Sequence, residues 1–551
     1  MFAHDLFIIP PREDGHVHEE SDAEDVPYLS PKILHGSGRK VYFETYGCQM
    51  NVNDTEVAWS ILEKQGFEKC SNVKEADVVL LMTCSVREGA EKKIWNRLDY
   101  FKALKRRRQA KRNQMPLKIG ILGCMAERLK SQIIEQEKSV DLVCGPDAYR
   151  DLPRMLAITS NSQASVNVVL SLDETYADIL PVRTDPNSKS AFVSIMRGCD
   201  NMCSYCIVPF TRGRERSRPI ESIIDEVKAL SEQGIKEITL LGQNVNSYRD
   251  MSQTSFFGGF DPLKIVNLSK GFKTLYKPKK GGRRFSDLLD RVSLVNSEVR
   301  IRFTSPHPKD FPDEVLHLIK ERPNICEQIH LPAQSGSTEV LAAMRRGYTR
   351  EAYIDLVHHI RTILPDVALS TDFIAGFCGE NEEAHQESLD LMREIQYHFA
   401  YCFPFSLRQK TRAFHRLEDD VPADVKSRRH MELIQAFREE AEKLNKSEIG
   451  KQQLVLVEGE SKRSAKDLAG RNDHNTRVIF PNMEVPVHFS TSRQCSVKPG
   501  DYAVVHIISA TSQVLKGIPL YHTTLKDFHR QRHLEERQEY PLPLQHTWSL
   551  Q

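Results

Sequence analysis

Arg197–Gly198–Cys199–Asp200–Asn201–Met202–Cys203–Ser204–Tyr205–Cys206 decides the reading of this chain, because it packs three cysteines into eight residues with CxxxCxxC spacing. It follows directly on the apolar run AFVSIM (191–196). Such a run reads as a buried strand, so the cysteines fall on the loop at its C-terminal end. Structural zinc takes four protein ligands, usually as two CxxC pairs, and no fourth Cys or His stands nearby. An iron–sulfur cube held by three thiolates leaves one iron open to substrate, which makes a three-cysteine set chemically useful. A fortuitous cysteine-rich loop, or part of a zinc site, is the plainer alternative.

Outward from this loop, AFVSIMRG (191–198), EITLLG (237–242), VRIRFTS (299–305), EQIHLPA (327–333), ALSTDFIAGF (368–377) and HFAYCFPF (398–405) alternate with helical stretches. Six strand–helix units predict a partial (β/α)6 barrel over 189–448, with a surface insertion at 251–283 and ligands at the C-terminal strand edge. Before it, VYFETYG (41–47), DVVLLMT (77–83), KIGILG (118–123) and VDLVCG (140–145) alternate with helices at 54–66 and 88–108. That pattern predicts a doubly wound parallel sheet over 39–156, followed by a linker at 157–188. After it, QQLVLVEGE, TRVIFP, VPVHF and YAVVHIISA predict a small β-barrel over 449–522. The ends read as a disordered acidic tail (1–38) and a flexible polar tail (523–551). The fold class is therefore multidomain α/β.

Composition limits the alternatives. The 551 residues carry 76 Lys and Arg against 75 Asp and Glu, so any nucleic-acid signal has to be local. No stretch approaches the ~18–20 apolar residues of a membrane span, so no membrane partner is expected. Residues 1–30 hold eight acidic side chains and one arginine, unlike an Arg-rich, acid-poor transit peptide. Twelve cysteines without a secretory signal suggest metal or redox roles in a reducing compartment.

A second trio emerges from the first domain. Cys48 follows the first predicted strand, Cys84 ends the second and Cys124 follows the third. Parallel strands end on one edge, so the three thiols can converge there. A 2-1-3-4 strand order would set the first strand between the second and third, and Cys144 one step outward. Ordinary buried cysteines are the alternative. Cys70, Cys326, Cys378, Cys402 and Cys495 have no ligand-like spacing.

The CxxxCxxC loop, with Tyr205 before its last cysteine, resembles the radical-SAM superfamily. Tyr46–Gly47–Cys48–Gln49–Met50–Asn51, Thr83–Cys84–Ser85–Val86–Arg87–Glu88, Gly123–Cys124–Met125–Ala126 and CSYCIVPFTRGRERSRP resemble methylthiotransferases of the MiaB type, which act on tRNA. FTSPHPKDFPDEV and LPAQSGSTEVLAAMRRGYTREAY resemble the animal branch usually assigned to mitochondria. Two departures are Met82, where many relatives have Asn, and Cys378, in a segment that often reads GFPGE.

The resemblance implies that Cys199, Cys203 and Cys206 hold the [4Fe–4S] cluster that binds and cleaves S-adenosylmethionine. It implies that Cys48, Cys84 and Cys124 hold an auxiliary [4Fe–4S] cluster concerned with sulfur. Gln243, Asn244, Ser305, Gln334, Asp372 and Gly376 are then the SAM-facing candidates, with polar strand caps as the alternative. LVEGESKR and GRNDHNTRVIF resemble a TRAM domain, which makes Lys462, Arg463, Lys466, Arg471 and Arg477 phosphate candidates. The basic run 102–112 offers either a second phosphate track or a solvated helix face.

The implied reaction converts N6-isopentenyladenosine at tRNA position 37 to its 2-methylthio derivative, using two SAM molecules. Its implied partners are a tRNA anticodon loop, a flavodoxin- or ferredoxin-type electron donor and a sulfur donor, acting with a monomer. The implied compartment is the mitochondrial matrix, with the cytoplasm as alternative since no presequence is visible. Rival readings are a methylthiotransferase for threonylcarbamoyladenosine or a ribosomal protein, and a non-catalytic protein that regulates a kinase.

Overall fold

The computed structural model describes residues 34–86, 88–110, 115–159, 163–252, 271–273 and 281–539. Nearly all of the acidic tail and most of the 251–283 insertion lie outside the described residues.

The first domain is a parallel sheet of β1 (Lys40–Thr45), β2 (Glu68–Lys69), β3 (Val78–Thr83), β4 (Lys118–Gly123), β5 (Leu142–Cys144) and β6 (Ser165–Asn167). Helices α1 (Gln49–Lys64), α2 (Glu88–Gln109) and α3 (Cys124–Leu129) belong to its crossovers. Every residue of β3 is buried, as a strand covered by helices on both faces requires.

The strand order corrects the expectation: it is β2-β1-β3-β4-β5-β6. Second place belongs to β2, two exposed residues with no apolar signal. The strands leading to Cys48, Cys84 and Cys124 are therefore consecutive neighbours, with the Cys84 strand in the middle. Cys144 stays one strand outward. The register pairs Thr45 with Met82, and Thr83 with Gly123, so the three thiols share one edge. The linker is also more than a linker. It contributes β6 and buries Tyr176, whose hydroxyl donates to Pro146 O at 2.8 Å and accepts from Tyr149 N at 3.0 Å.

The second domain holds β7 (Ser190–Ser194), β8 (Glu237–Leu241), β9 (Arg300–Phe303), β10 (Gln328–His330), β11 (Ala368–Ala375) and β12 (Phe399–Pro404). They form two parallel three-stranded sheets, β9-β8-β7 and β10-β11-β12, linked by a bridge between Ile301 and Ile325. Ile238, Leu240, Ile301, Phe303, Ile329, Leu369 and Phe373 pack into one apolar core. The opposite face is polar, with His330 bonded to Ser370 and Asp372, and it lines the inside of the partial barrel. Helix α4 (Val208–Arg212) follows the cysteine loop, and α5 (Ala423–Lys446) packs against β11 and β12.

The third domain is a closed barrel of β13 (Gln452–Ser461), β14 (Ser464–Arg471), β15 (Arg477–Pro481), β16 (Tyr502–Ala510) and β17 (Val514–Thr523). The charged β14 was not foreseen. VPVHF is not a barrel strand, because Glu484–Pro486 pairs with Gln494–Ser496 in a separate hairpin. The tail expected to be flexible is helical over α6 (Leu525–Glu539), anchored by buried Leu525.

This barrel docks on the N-terminal ends of β8 and β9. Buried Arg300 donates to Leu454 O and Arg471 O, each at 2.8 Å. Buried Arg302 donates to Asp473 O at 2.7 Å and Asn472 O at 2.8 Å, and pairs with Glu237 at 2.9 Å. Tyr502 adds bonds to the carbonyls of Lys236 and Glu298. Pairing most of these desolvated donors matters here, since an unpaired buried charge is costly; Arg300 Nε alone among them lacks a hydrogen-bond partner among the described residues.

Candidate functional site

Cys199, Cys203 and Cys206 sit on a loop clamped from several sides. Gly198 N donates to Gln243 Oε1 at 2.6 Å, and Cys199 N to Gly213 O at 3.2 Å. Gly198 has φ +77, and a side chain there would run into the Arg214 carbonyl, so only glycine fits. Ser204 bonds the backbone of Ala343 and Met344, while Tyr205 meets Phe377 edge-on. Cys199 and Cys203 are buried and Cys206 half-buried. Burial pushes the Cys206 thiol up to about 12, with neighbouring Cys203 adding to the rise. Burial also holds Cys199 well above its ordinary range.

Among the cations that reach this loop, Arg346 bonds a thiol. Arg346 Nη1 donates to Cys203 Sγ at 3.3 Å, Nε to Tyr348 OH at 3.0 Å and Nη2 to Pro332 O at 3.2 Å. Arg346 is therefore a buried donor to a thiol.

The first-domain trio meets at the shared edge. Gly47, with φ +107, lies so close to Cys84 that an added Cβ would stand 2.5 Å from the Cys84 Cβ. Asn51, fully buried on the first turn of α1, donates to Tyr46 O at 2.6 Å and Thr83 O at 3.0 Å, binding the two loops together. Cys84 and Cys124 are buried and Cys48 is exposed at the rim. Burial pushes the Cys124 thiol up to about 12; Arg212 opposes the rise, and Cys84 and Cys48 add to it. Met82 is buried under the Tyr149 hydroxyl, 3.3 Å from its sulfur.

The two trios are joined through α4. Arg212 ends that helix, six residues after Cys206, and reaches into the first domain. Its Nε donates to Cys124 Sγ at 3.2 Å, and its Nη2 to Asp54 Oδ2 at 2.7 Å and Asn51 Oδ1 at 3.0 Å. Asp54, fully buried, takes a second bond from Arg197 Nη1 at 2.7 Å. Burial alone would raise the Asp54 carboxyl; the two guanidiniums more than offset this and hold it low. Sequence reasoning missed Asp54, Arg197 and Arg212 as a unit. The available signal was that all three are charged residues within or beside the cysteine motifs.

The SAM candidates separate into two groups. Gln243, Asn244, Ser305, Gln334 and Gly376 follow the ends of β8, β9, β10 and β11, on the same side of the barrel as the cysteine loop. Asn244 Oδ1 accepts from His307 N at 3.2 Å, and Gln334 bridges to Asp372 O and Ile374 N through its backbone. Ser305 and Gln334 have φ of +60 and +72, turning the chain at that edge. Asp372 lies inside β11 and faces the barrel interior beside His330.

The phosphate candidates are not one patch. Lys462, Arg463 and Lys466 are exposed around the β13–β14 turn. Arg471 and Arg477 face each other in register at the other end of β14, and Arg471 is held by Glu458 at 3.0 Å. The basic run on α2 is partly neutralised, with Lys102 paired to Glu137 at 2.9 Å and Lys105 to Asp141 at 2.6 Å.

Residues 40–145 match the family described as Uncharacterized protein family UPF0004, residues 193–392 the Radical SAM superfamily, and residues 446–520 the TRAM domain. The chain is 64% identical over 501 residues to "Mitochondrial tRNA methylthiotransferase CDK5RAP1" of Mus musculus, across 91% of this chain and 84% of that one. The chain belongs to the tRNA methylthiotransferase family. This methylthiotransferase is also 46% identical over 478 residues to the tRNA-2-methylthio-N(6)-dimethylallyladenosine synthase of Chloroherpeton thalassium, across 87% of this chain and 95% of that one. Among solved structures, a radical S-adenosylmethionine methyltransferase from Kitasatospora setae aligns with TM-score 0.46 and 14% identity, over 68% of this chain and 77% of that one. The methylthiotransferase is a radical-SAM enzyme, and that membership implies S-adenosylmethionine and a [4Fe–4S] cluster as cofactors.

Proposed function

We propose that this enzyme converts N6-isopentenyladenosine at position 37 of tRNA to its 2-methylthio derivative, with two [4Fe–4S] clusters and two SAM molecules. One observation carries the reading: Arg212, six residues beyond the Cys199–Cys206 loop, bonds Cys124 of the other trio, so the two thiol sets adjoin. One set alone suits generic radical chemistry; two sets side by side suit abstraction at a carbon and sulfur delivery to it.

The residues fit the cofactors. Among the described residues no three or more His, Cys, Asp or Glu close around a single-ion position. A four-iron cube instead takes its thiolates at separate corners, and soft, histidine-free thiolate sets suit iron–sulfur clusters. Cys199, Cys203 and Cys206 would hold the SAM-cleaving cluster, and Cys48, Cys84 and Cys124 the auxiliary one. When bound, these groups supply homolytic chemistry, which the strong aromatic C2–H of adenine demands. The chain's own residues do the placing. Arg346 and Arg212 each give a buried N–H to a sulfur, and Gln243 fixes the backbone before Cys199. Gln334, Ser305 and Gly376 bring turned backbone to the edge where SAM would lie.

The adenosine reaches this edge only when unstacked, which favours an anticodon loop over a duplex. Lys462, Arg463 and Lys466 suit phosphate contacts from the TRAM domain. The relatives' names support a mitochondrial setting. A flavodoxin- or ferredoxin-type reductant, a sulfur donor and a monomeric enzyme complete the proposal.

The test is anaerobic reconstitution, then mass analysis of isopentenylated anticodon-stem RNA after adding SAM and reductant. A methylthio group at adenine C2 is expected. Modification of threonylcarbamoyladenosine instead would overturn the substrate assignment. Two clusters amount to about eight irons per chain; changing Cys48, Cys84 and Cys124 together should remove about half, and a wild type holding only about four would sink the two-cluster reading.

A further inference from the structure

We propose that Arg212 is a positioning residue that sets the electrostatic environment of the Cys48–Cys84–Cys124 site, and that it does so from the opposite domain. The proposal rests on the reading of those cysteines as cluster ligands. Arg212 belongs to the helix that continues the SAM-cleaving loop, yet every side-chain bond it makes crosses into the first domain: Cys124 Sγ, Asn51 Oδ1 and Asp54 Oδ2. It is 3% exposed, so this is a desolvated cation held against sulfur.

Three features separate this role from simple domain adhesion. Nη1 is buried and has no hydrogen-bond partner among the described residues, leaving this nitrogen uncommitted. Asp54 grips Nη2, which fixes the guanidinium plane and frees Nε to point at Cys124. Arg197 grips the same Asp54 without bonding any of the three thiols, so it shares the adhesive role and lacks the sulfur contact. N–H donors and positive charge beside cluster sulfurs favour the reduced, more negative state, and hydrogen bonds to the sulfurs are among the levers that set cluster potential. A planar fork that bonds a sulfur and a carboxylate together is a task for arginine, not lysine.

The experiment uses the full chain with Cys199, Cys203 and Cys206 changed to Ala, so that iron reports only the first-domain site. Reduction potential, electron-paramagnetic-resonance signal and iron content are measured for this parent and with Arg212→Met, Arg212→Lys or Arg197→Met added. Arg212→Met should lower the potential and alter the signal while iron stays bound. Arg212→Lys should restore part of the shift, and Arg197→Met should leave the potential at the parent value. Loss of iron in Arg212→Met with retention in Arg197→Met would equally uphold positioning by Arg212. Equal shifts or equal iron loss in the Met variants would overturn it, leaving Arg212 as structural glue. A parent chain that takes up no iron would overturn the ligand reading itself.

Discussion

Asp54→Ala should be among the most damaging single substitutions in this chain, because its carboxylate ties two buried arginines together. The carboxylate is fully buried and bridges Arg197 and Arg212 at 2.7 Å each, with the two arginine side chains 2% and 4% exposed. Removing one partner of a buried ion pair costs about 3–5 kcal/mol, because the partner is left charged and desolvated. Here one deletion strands two cations, and among the described residues Glu174, at 3.8 Å from Arg197, stands as the substitute anion. The upper end, about 5 kcal/mol, is the expected loss. Trp59, buried in α1 beside this site, gives a fluorescence readout of urea unfolding of the apo chain. At ~2–3 kcal/mol per molar urea the midpoint should fall by about 2 M. Asp54→Leu combined with Arg197→Met and Arg212→Met should recover most of the loss, since a well-packed apolar replacement is often neutral. The carboxyl is depressed in the fold from its ordinary 3.8, so its contribution is complete above that pH and fades as the pH falls further. A loss below about 1 kcal/mol, or a triple variant as weak as the single, would refute the reasoning.

Glu127 should behave oppositely with pH: burial raises its carboxyl from 4.5 to about 7, against the pull of Lys130, so stability should decline as pH rises from 4.5 through 7. Glu127→Gln should remove that slope and gain up to about 3 kcal/mol at pH 8 in pH-dependent denaturation. Arg302→Met strands buried Glu237 and frees two carbonyls of the third domain, and should cost about 3–5 kcal/mol; faster amide exchange around Asn472 would report the loosened dock. Changing Lys462, Arg463 and Lys466 together to Ala should flatten the salt dependence of RNA binding by about 2–3 in log–log slope. Arg471→Ala, whose side chain is spent on Glu458, should change that slope little.

The architecture was legible wherever the chain writes a strong period. The strands around β3, β4, β8 and β11 are apolar runs that no surface segment would carry. What escaped was set by backbone partners rather than composition. β2 is two charged residues recruited to an edge, and missing it displaced the strand order while leaving the convergence of the thiols intact. β14 reads SAKDLAGR and is a strand only because β13 and β15 flank it. The segment expected to be a linker is held by a short edge strand, by buried Tyr176 and Ile179, and by bonds at Leu180 and Thr184, none of which a periodicity marks. At the site, cysteine spacing and strand ends foretold the trios. The arginines that bond their sulfurs look, in sequence, like any surface charge; only burial distinguishes Arg346 from Arg345.

The seating of the β-barrel has a consequence for the substrate. It sits at the N-terminal ends of β8 and β9, whereas the Cys199–Cys206 loop lies beyond the opposite, C-terminal end of β7. The eight residues of β11 span roughly 26 Å at about 3.3 Å per residue, so an RNA bound as proposed at Lys462 and Arg463 would have to run the height of the unit to deliver its base. On those proposed contacts the enzyme would act as a calliper. A hairpin with the right loop but a stem too short for that span forfeits one jaw, and discrimination among RNAs becomes partly a matter of length.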